Sequence, residues 1–230
     1  MLQESTAQVW KILSSKPELT GFILIGGSAL ALHIDHRISE DLDFAWPYGQ
    51  LPREALKKLI ETESALEFVL DQNEVALQEA DDVGIDLADH AQNYLANGVR
   101  VTFFSSLEPE RKLLASEACE PLRVATVPEI FVLKALVSAD RSKTRDWFDL
   151  YTLFKFHGFT WDEFHDVFLK FSNIGQYENA AGRLCSGRPQ ANDEGYETLV
   201  ANPPSLEEIR NYFLTIRQTY EKAPQKTSGA

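Results

Sequence analysis

The residue types able to do chemistry crowd into one stretch of this 230-residue chain, positions 26–44, which read GGSALALHIDHRISEDLDF. Gly26, Gly27 and Ser28 follow an apolar run, and Asp41 and Asp43 stand one position apart between apolar neighbours. Where a strand turns sharply into a helix, the first N–H groups of the helix lack intrahelical partners and point outwards, and the helix dipole adds positive potential. Such an end binds anions. Gly26 and Gly27 remove the side chains that would hold a phosphate off, and Ser28 adds a hydroxyl donor. Alone, GGS is a tight turn with an N-capping serine. Neither the P-loop G-K-[ST] nor the dinucleotide G-x-G-x-x-G accompanies it.

The acidic half carries the complementary chemistry. Alternation along a strand sends Leu42 and Phe44 to one face and Asp41 and Asp43 to the other. Aspartate is poorly suited to strands, so two on one face oppose local propensity. Residues two apart in a strand are roughly 6–7 Å apart. At an effective dielectric near 20, two carboxylates at that distance repel by about 2 kcal/mol. A divalent cation reverses the sign of that cost, and hard oxygen ligands suit Mg²⁺ or Mn²⁺, which also bridge nucleotide phosphates. An isolated D-x-D is a solvated edge strand. A phosphate-binding turn, a helix and a returning D-x-D strand together bring an anion cradle beside a metal site, because consecutive elements usually neighbour one another.

The elements that must position these groups are legible from periodicity. Residues 3–15 have helical spacing, 22–25 read as a buried strand, 29–34 as a helix and 41–45 as a half-exposed strand stopped by Pro47. A helix over 52–64 and a strand over 66–71 follow, then an acidic, ambiguous region over 73–91. Asn97-Gly98 between alternating strands predicts a two-residue hairpin. After a short strand at 121–126 the pattern becomes helical, with two helices over 127–156 and three more near 161–172, 175–184 and 205–222. The fold expected is α+β: a mixed sheet flanked by helices over 1–125, a helical domain over 126–222 and a disordered tail over 223–230.

Composition narrows the function classes. The net charge of −13 argues against broad adhesion to nucleic acid, which needs clustered Lys and Arg. Any such contact is local, at Arg111 and Lys112 or at Arg141, Lys143 and Arg145. No apolar stretch reaches the roughly 20 residues that span a bilayer, and no leader opens the chain, so a cytoplasmic protein without a membrane partner is expected. Cys119 and Cys185 are far apart and form no C-x-x-C pair. The five histidines lack zinc-site spacing and read as structural. The aromatic run over 147–164 has the helical spacing of a core.

With both halves of the stretch in view, it resembles the DNA polymerase β type nucleotidyltransferases, whose signature is G-S followed by D-x-D. It is similar almost throughout to the AbiEii/AbiGii toxin family. The likeness extends to GVRVTFFS at 98–105 and to 124–153, where a lysine on one helix and R-D-x-x-D-L-Y on the next look like the family's downstream motifs. The resemblance implies that Gly27 and Ser28 hold the β and γ phosphates, with Gly26 beside them in the nucleotide site, and that Asp41 and Asp43 ligate Mg²⁺ or Mn²⁺. It implies that Lys134 neutralises the triphosphate, that Asp149, with Asp146 beside it, orients Lys134 or the acceptor, and that Arg37 and Arg145 reach the nucleotide. By residue type alone, Arg145, Asp146 and Asp149 are equally an intrahelical ion-pair set.

The implied reaction transfers a nucleoside monophosphate from a nucleoside triphosphate to an acceptor on RNA, tRNA for example, or on protein. The implied setting is an abortive-infection or toxin–antitoxin pair with a cognate antitoxin protein. One departure stands out: relatives in the polymerase-like superfamily carry a third carboxylate on a later strand, where this chain has Thr102. Asp86, Asp89 or a carboxylate of the helical domain are the candidate replacements. Two other readings stay open, an inactive protein-binding module of the same fold and a small-molecule adenylyltransferase.

Overall fold

A computed structural model describes residues 1–71, 86–115 and 121–223. Most of the acidic region over 73–91, Cys119 and all but the first residue of the expected tail lie outside the described residues. The chain divides into two compact units, Met1–Ile130 and Phe131–Ala230.

The first unit is built on a six-stranded mixed sheet. Its strands are β1 (Ile23–Ile25), β2 (Leu42–Trp46), β3 (Phe68–Leu70), β4 (Ala91–Ala96), β5 (Val99–Ser105) and β6 (Arg123–Val124), in the order β3-β4-β5-β2-β1-β6. β2 runs antiparallel to β1 and parallel to β5, and β6 runs parallel to β1. β4 pairs antiparallel with both β3 and β5. Among the described residues, its α-helices are α1 (Glu4–Leu13), α2 (Gly26–Ile34), α3 (Arg53–Thr62) and α4 (Glu110–Leu114).

Hydrophobic alternation in β2 decides which way its acids point. Leu42 and Phe44 are fully buried. Phe44 stacks on Phe103 of β5 at 5.3 Å and on Trp10 of α1 at 6.3 Å, and Phe22 meets Phe103 edge-on at 5.5 Å. Because the side-chain period is two, burying Leu42 and Phe44 on this aromatic face commits Asp43 to the other. The expected hairpin is present: Asn97 and Gly98 have φ values of 48° and 80°, and Ala96 pairs with Val99. Positive φ at both turn residues matches the right-handed twist of the flanking strands.

The second unit is helical: α6 (Thr144–Phe156), α7 (Trp161–Phe171), α8 (Ile174–Ser186) and α9 (Leu206–Lys222), with α5 (Val127–Ser138) leading into it. α6 is buried nearly all round, from Thr144 to Phe154, as expected of a central helix. Side-chain caps set the starts of the outer helices: Thr160 and Glu163 form a capping box, and Asn173 and Ser205 cap α8 and α9. Trp147, Phe148, Tyr151, Phe154, Trp161 and Phe164 are buried, so these positions of the aromatic run are core, while Phe156 is exposed. Trp161 Nε1 donates to the Tyr177 hydroxyl at 2.9 Å. No helix among the described residues is long and apolar enough to cross a membrane.

The hairpin that sets the register of β4 against β5 is testable. Replacing Gly98 by alanine forces a Cβ into a left-handed conformation at a cost of about 1–2 kcal/mol. Chemical denaturation is expected to show that loss, and an unchanged midpoint would mean that the turn adopts another form.

Candidate active site

The site starts where β1 ends. α2 begins at Gly26 itself, so the two glycines form its first turn and do not precede it. The N-cap position belongs to Ile25, and no side chain caps the helix. This corrects the reading of Ser28 as an N-cap. Gly26 has φ of +73°, and a Cβ there would lie 2.9 Å from Oδ2 of Asp43. A Cβ on Gly27 would lie 2.5 Å from Nη2 of Arg37 and 3.1 Å from Oγ of Ser39. The glycines therefore make room for two ionised side chains of the protein itself. Any larger residue would displace one of them.

Antiparallel pairing of Ile25 with Asp43 produces this closeness. The returning strand delivers its aspartate beside the residue from which the helix departs. Arg37, buried at the other side of the same turn, donates through Nη1 to the Ile38 carbonyl at 3.0 Å. A guanidinium and the open N–H groups of a helix start are both donors, and together they favour an anion. Asp41 and Asp43, both half-buried, are acceptors and favour a cation. Opposite demands for charge thus meet around one turn.

Ser28 has a different job from the one its sequence position suggests. Its hydroxyl donates to the Asp41 carbonyl and shares a second hydrogen bond with Ser39 Oγ at 3.0 Å. A hydroxyl has one proton, so donation to Asp41 leaves Ser28 only lone pairs. It is 3% exposed. The sequence offered no signal for this bond or for the part played by Ser39.

The row of side chains next to Asp43 runs through Thr102 of β5 to Asn93 of β4. Thr102 occupies the neighbouring position where a third acid would complete the set. Among the described residues, no group of three or more His, Cys, Asp or Glu side chains is placed to hold a metal ion. Two carboxylates still fit Mg²⁺, which commonly binds one or two carboxylates, keeps several waters and takes its remaining ligands from substrate phosphates. Asp86 and Asp89 are engaged elsewhere: Arg53 Nη1 contacts them at 2.6 and 3.1 Å. That contact lowers the Asp86 carboxyl below its ordinary value. A carboxylate so held is a poorer base.

The other sequence-selected residues lie in the second unit. Lys134 Nζ reaches Asp146 Oδ1 at 2.6 Å and Asp149 Oδ2 at 2.7 Å, joining α5 to α6. All three are buried, with 6%, 2% and 0% exposure. Arg141 Nε closes the cluster on Asp146 Oδ2 at 2.8 Å. The pairing runs between helices, not within one. Burial pushes the Asp146 carboxyl up, but the Lys134 ammonium and Arg141 guanidinium outweigh it and hold it below its ordinary value of 3.8. Arg145 turns to the 194–195 segment, donating to the Gly195 carbonyl at 2.8 Å and pairing with Glu194 at 3.3 Å.

A mixed sheet whose first strand opens into a glycine-started helix, with a D-x-D strand returning beside it, defines the nucleotidyltransferase fold. Two Helicobacter pylori structures share it. A candidate nucleotidyltransferase from H. pylori superposes with a TM-score of 0.51 at 19% identity, covering 97% of this chain and 100% of its own. JHP933 gives 0.51 at 19% identity and 96% of each chain. The protein aq_aa25 of Aquifex aeolicus (strain VF5) is 24% identical over 194 residues, 84% of each chain. Residues 9–209 match the family described as nucleotidyl transferase AbiEii toxin, type IV TA system. The chain belongs to that AbiEii family of nucleotidyltransferase toxins.

The buried cluster generates two expectations. Lys134→Met leaves two carboxylates buried without their shared cation, and a loss of about 3–5 kcal/mol is expected in equilibrium unfolding. Because the Asp146 carboxyl is lowered on folding, its stabilisation is complete above its ordinary value of 3.8 and is lost as pH falls through the lower folded value. Acid titration of the wild type should show this loss and of Asp146→Asn should not. Equal acid sensitivity in the two would remove Asp146 from the account.

Proposed function

We propose that this chain transfers a nucleoside monophosphate from a nucleoside triphosphate to a hydroxyl on a macromolecular acceptor, an RNA such as tRNA or a protein. The observation that carries this reading is the meeting of a helix start and the Arg37 guanidinium with the Asp43 carboxylate around Gly26 and Gly27. The N–H groups of that turn and the Arg37 guanidinium receive the triphosphate. Asp41 and Asp43 hold Mg²⁺ or Mn²⁺. When bound, the metal neutralises developing charge on the phosphate oxygens. The acceptor oxygen forms a bond to the α-phosphorus as the bond to the departing pyrophosphate breaks, and the acceptor proton leaves with solvent or passes to a carboxylate of the pair. Thr102 can hydrogen-bond an acceptor but cannot take its proton. Most of the acceleration then comes from positioning and charge stabilisation.

Lys134 supports the reaction from within the helical unit. An ammonium already divided between two carboxylates is a weak phosphate ligand, and its work is to fix α5 against α6. The family's toxin–antitoxin setting supports a cognate antitoxin as partner. Thr102 favours one further reading, a protein of the same fold that binds a partner without transfer.

Incubation of the protein with each labelled triphosphate, Mg²⁺ and cell lysate separates these readings. Label is expected in RNA or protein, with Asp43→Asn reducing it about 10²–10³-fold and relieving growth arrest on expression. Arrest that persists unchanged in Asp43→Asn, with no label in any fraction, would favour partner binding.

A further inference from the structure

The three carbonyls that lead into the D-x-D strand are each held by a donor from a different place. The Ser39 carbonyl accepts from the Gln3 N–H at 2.9 Å. The Glu40 carbonyl accepts from Thr6 Oγ1 at 2.8 Å. The Asp41 carbonyl accepts from Ser28 Oγ. Residues 39–41 belong to no regular helix or ladder apart from the single Leu2–Ser39 bridge, so these bonds take the place of secondary structure there. Thr6 is the central one of the three. It is fully buried on α1, 34 residues away from Glu40 in sequence.

We propose that the Thr6 hydroxyl is a positioning residue for the carboxylate pair: by fixing the Glu40 carbonyl it sets the backbone from which Asp41 projects, and with it the spacing of Asp41 from Asp43. Buried backbone carbonyls require a partner. Loss of this one lets the Glu40–Asp41 peptide turn in search of another, which rotates the Asp41 side chain relative to a strand that stays anchored by Leu42 and Phe44. The inference rests on the proposed metal-binding role of Asp41 and Asp43.

The test measures Mn²⁺ binding to the full chain by electron paramagnetic resonance, using Mn²⁺ alone, in wild type, Asp43→Asn, Thr6→Ser and Thr6→Ala. Both Thr6 variants lose the methyl and its packing, but only Thr6→Ala loses the hydroxyl. Thr6→Ser is expected to bind as wild type does and Thr6→Ala about tenfold more weakly, the size of effect typical of groups that orient metal ligands. Thermal unfolding of each variant confirms that the folded protein is being compared. Should Thr6→Ala not fold, Thr6→Asn supplies the second comparison, its amide offering the donor that alanine lacks, and wild-type affinity is expected there. Equal Mn²⁺ affinity in Thr6→Ser and Thr6→Ala overturns the positioning role. Equal affinity in wild type and Asp43→Asn instead overturns the metal site itself, so the two failures are distinguishable.

Discussion

Everything in the first unit follows from the antiparallel contact between Ile25 and Asp43, held in place by what lies on the opposite face of the strand. Leu42 and Phe44 are fully removed from water. Burial of each is worth about 1.5–3 kcal/mol. Asp43 is therefore held at the helix mouth by hydrophobic packing on the other face of its strand. Gly26 completes the arrangement because only a residue without Cβ leaves space for the Asp43 carboxylate.

The two units treat acidic residues in opposite ways. Asp146 and Asp149 are sealed in the helical unit and matched by Lys134 and Arg141. Charges so completely paired confer uniqueness on the packing of α5 against α6 more than raw stability. Asp41 and Asp43 keep partial access to solvent, where a ligand can reach them. In a chain with a net charge of −13, abundance of acid says little about function. Access to solvent says much more, and it separates the half-buried D-x-D pair from the sealed cluster around Lys134.

Much of this was legible from residue order because it obeys short periods. The alternation of β2, the Asn97-Gly98 turn and the aromatic spacing of α6 and α7 all leave a trace within a window of a few residues. The glycine–aspartate partnership was also legible, through the rule that consecutive elements neighbour one another. The family resemblance pointed to Asp149 beside Lys134, but residue spacing alone did not, and the long-range contacts of the hydroxyls escaped both. Ser28 read as a cap or a phosphate donor, yet its proton goes to Asp41, thirteen residues on. Arg145, Asp146 and Asp149 had the spacing of an intrahelical set, yet the partner of both acids is Lys134 on the preceding helix. A single polar contact between distant segments has no period, so no pattern in one sequence announces it.

The threonine at position 102 bears on how the site takes its cation. It sits directly across from Asp43 on one side and Asn93 on the other, so the strand position beside Asp43 carries a hydroxyl and no carboxylate. Two carboxylates carry one less negative charge than three and leave more of the coordination shell to water and phosphate oxygens. A divalent ion at such a site gains most of its attraction once the triphosphate is present, since the phosphates then supply both charge and ligands. In the proposed reaction the helix start and Arg37 draw the same triphosphate into place. On that proposal the two halves of the turn act as one binding element, in which nucleotide and metal each raise the affinity for the other by the same factor, as linkage requires.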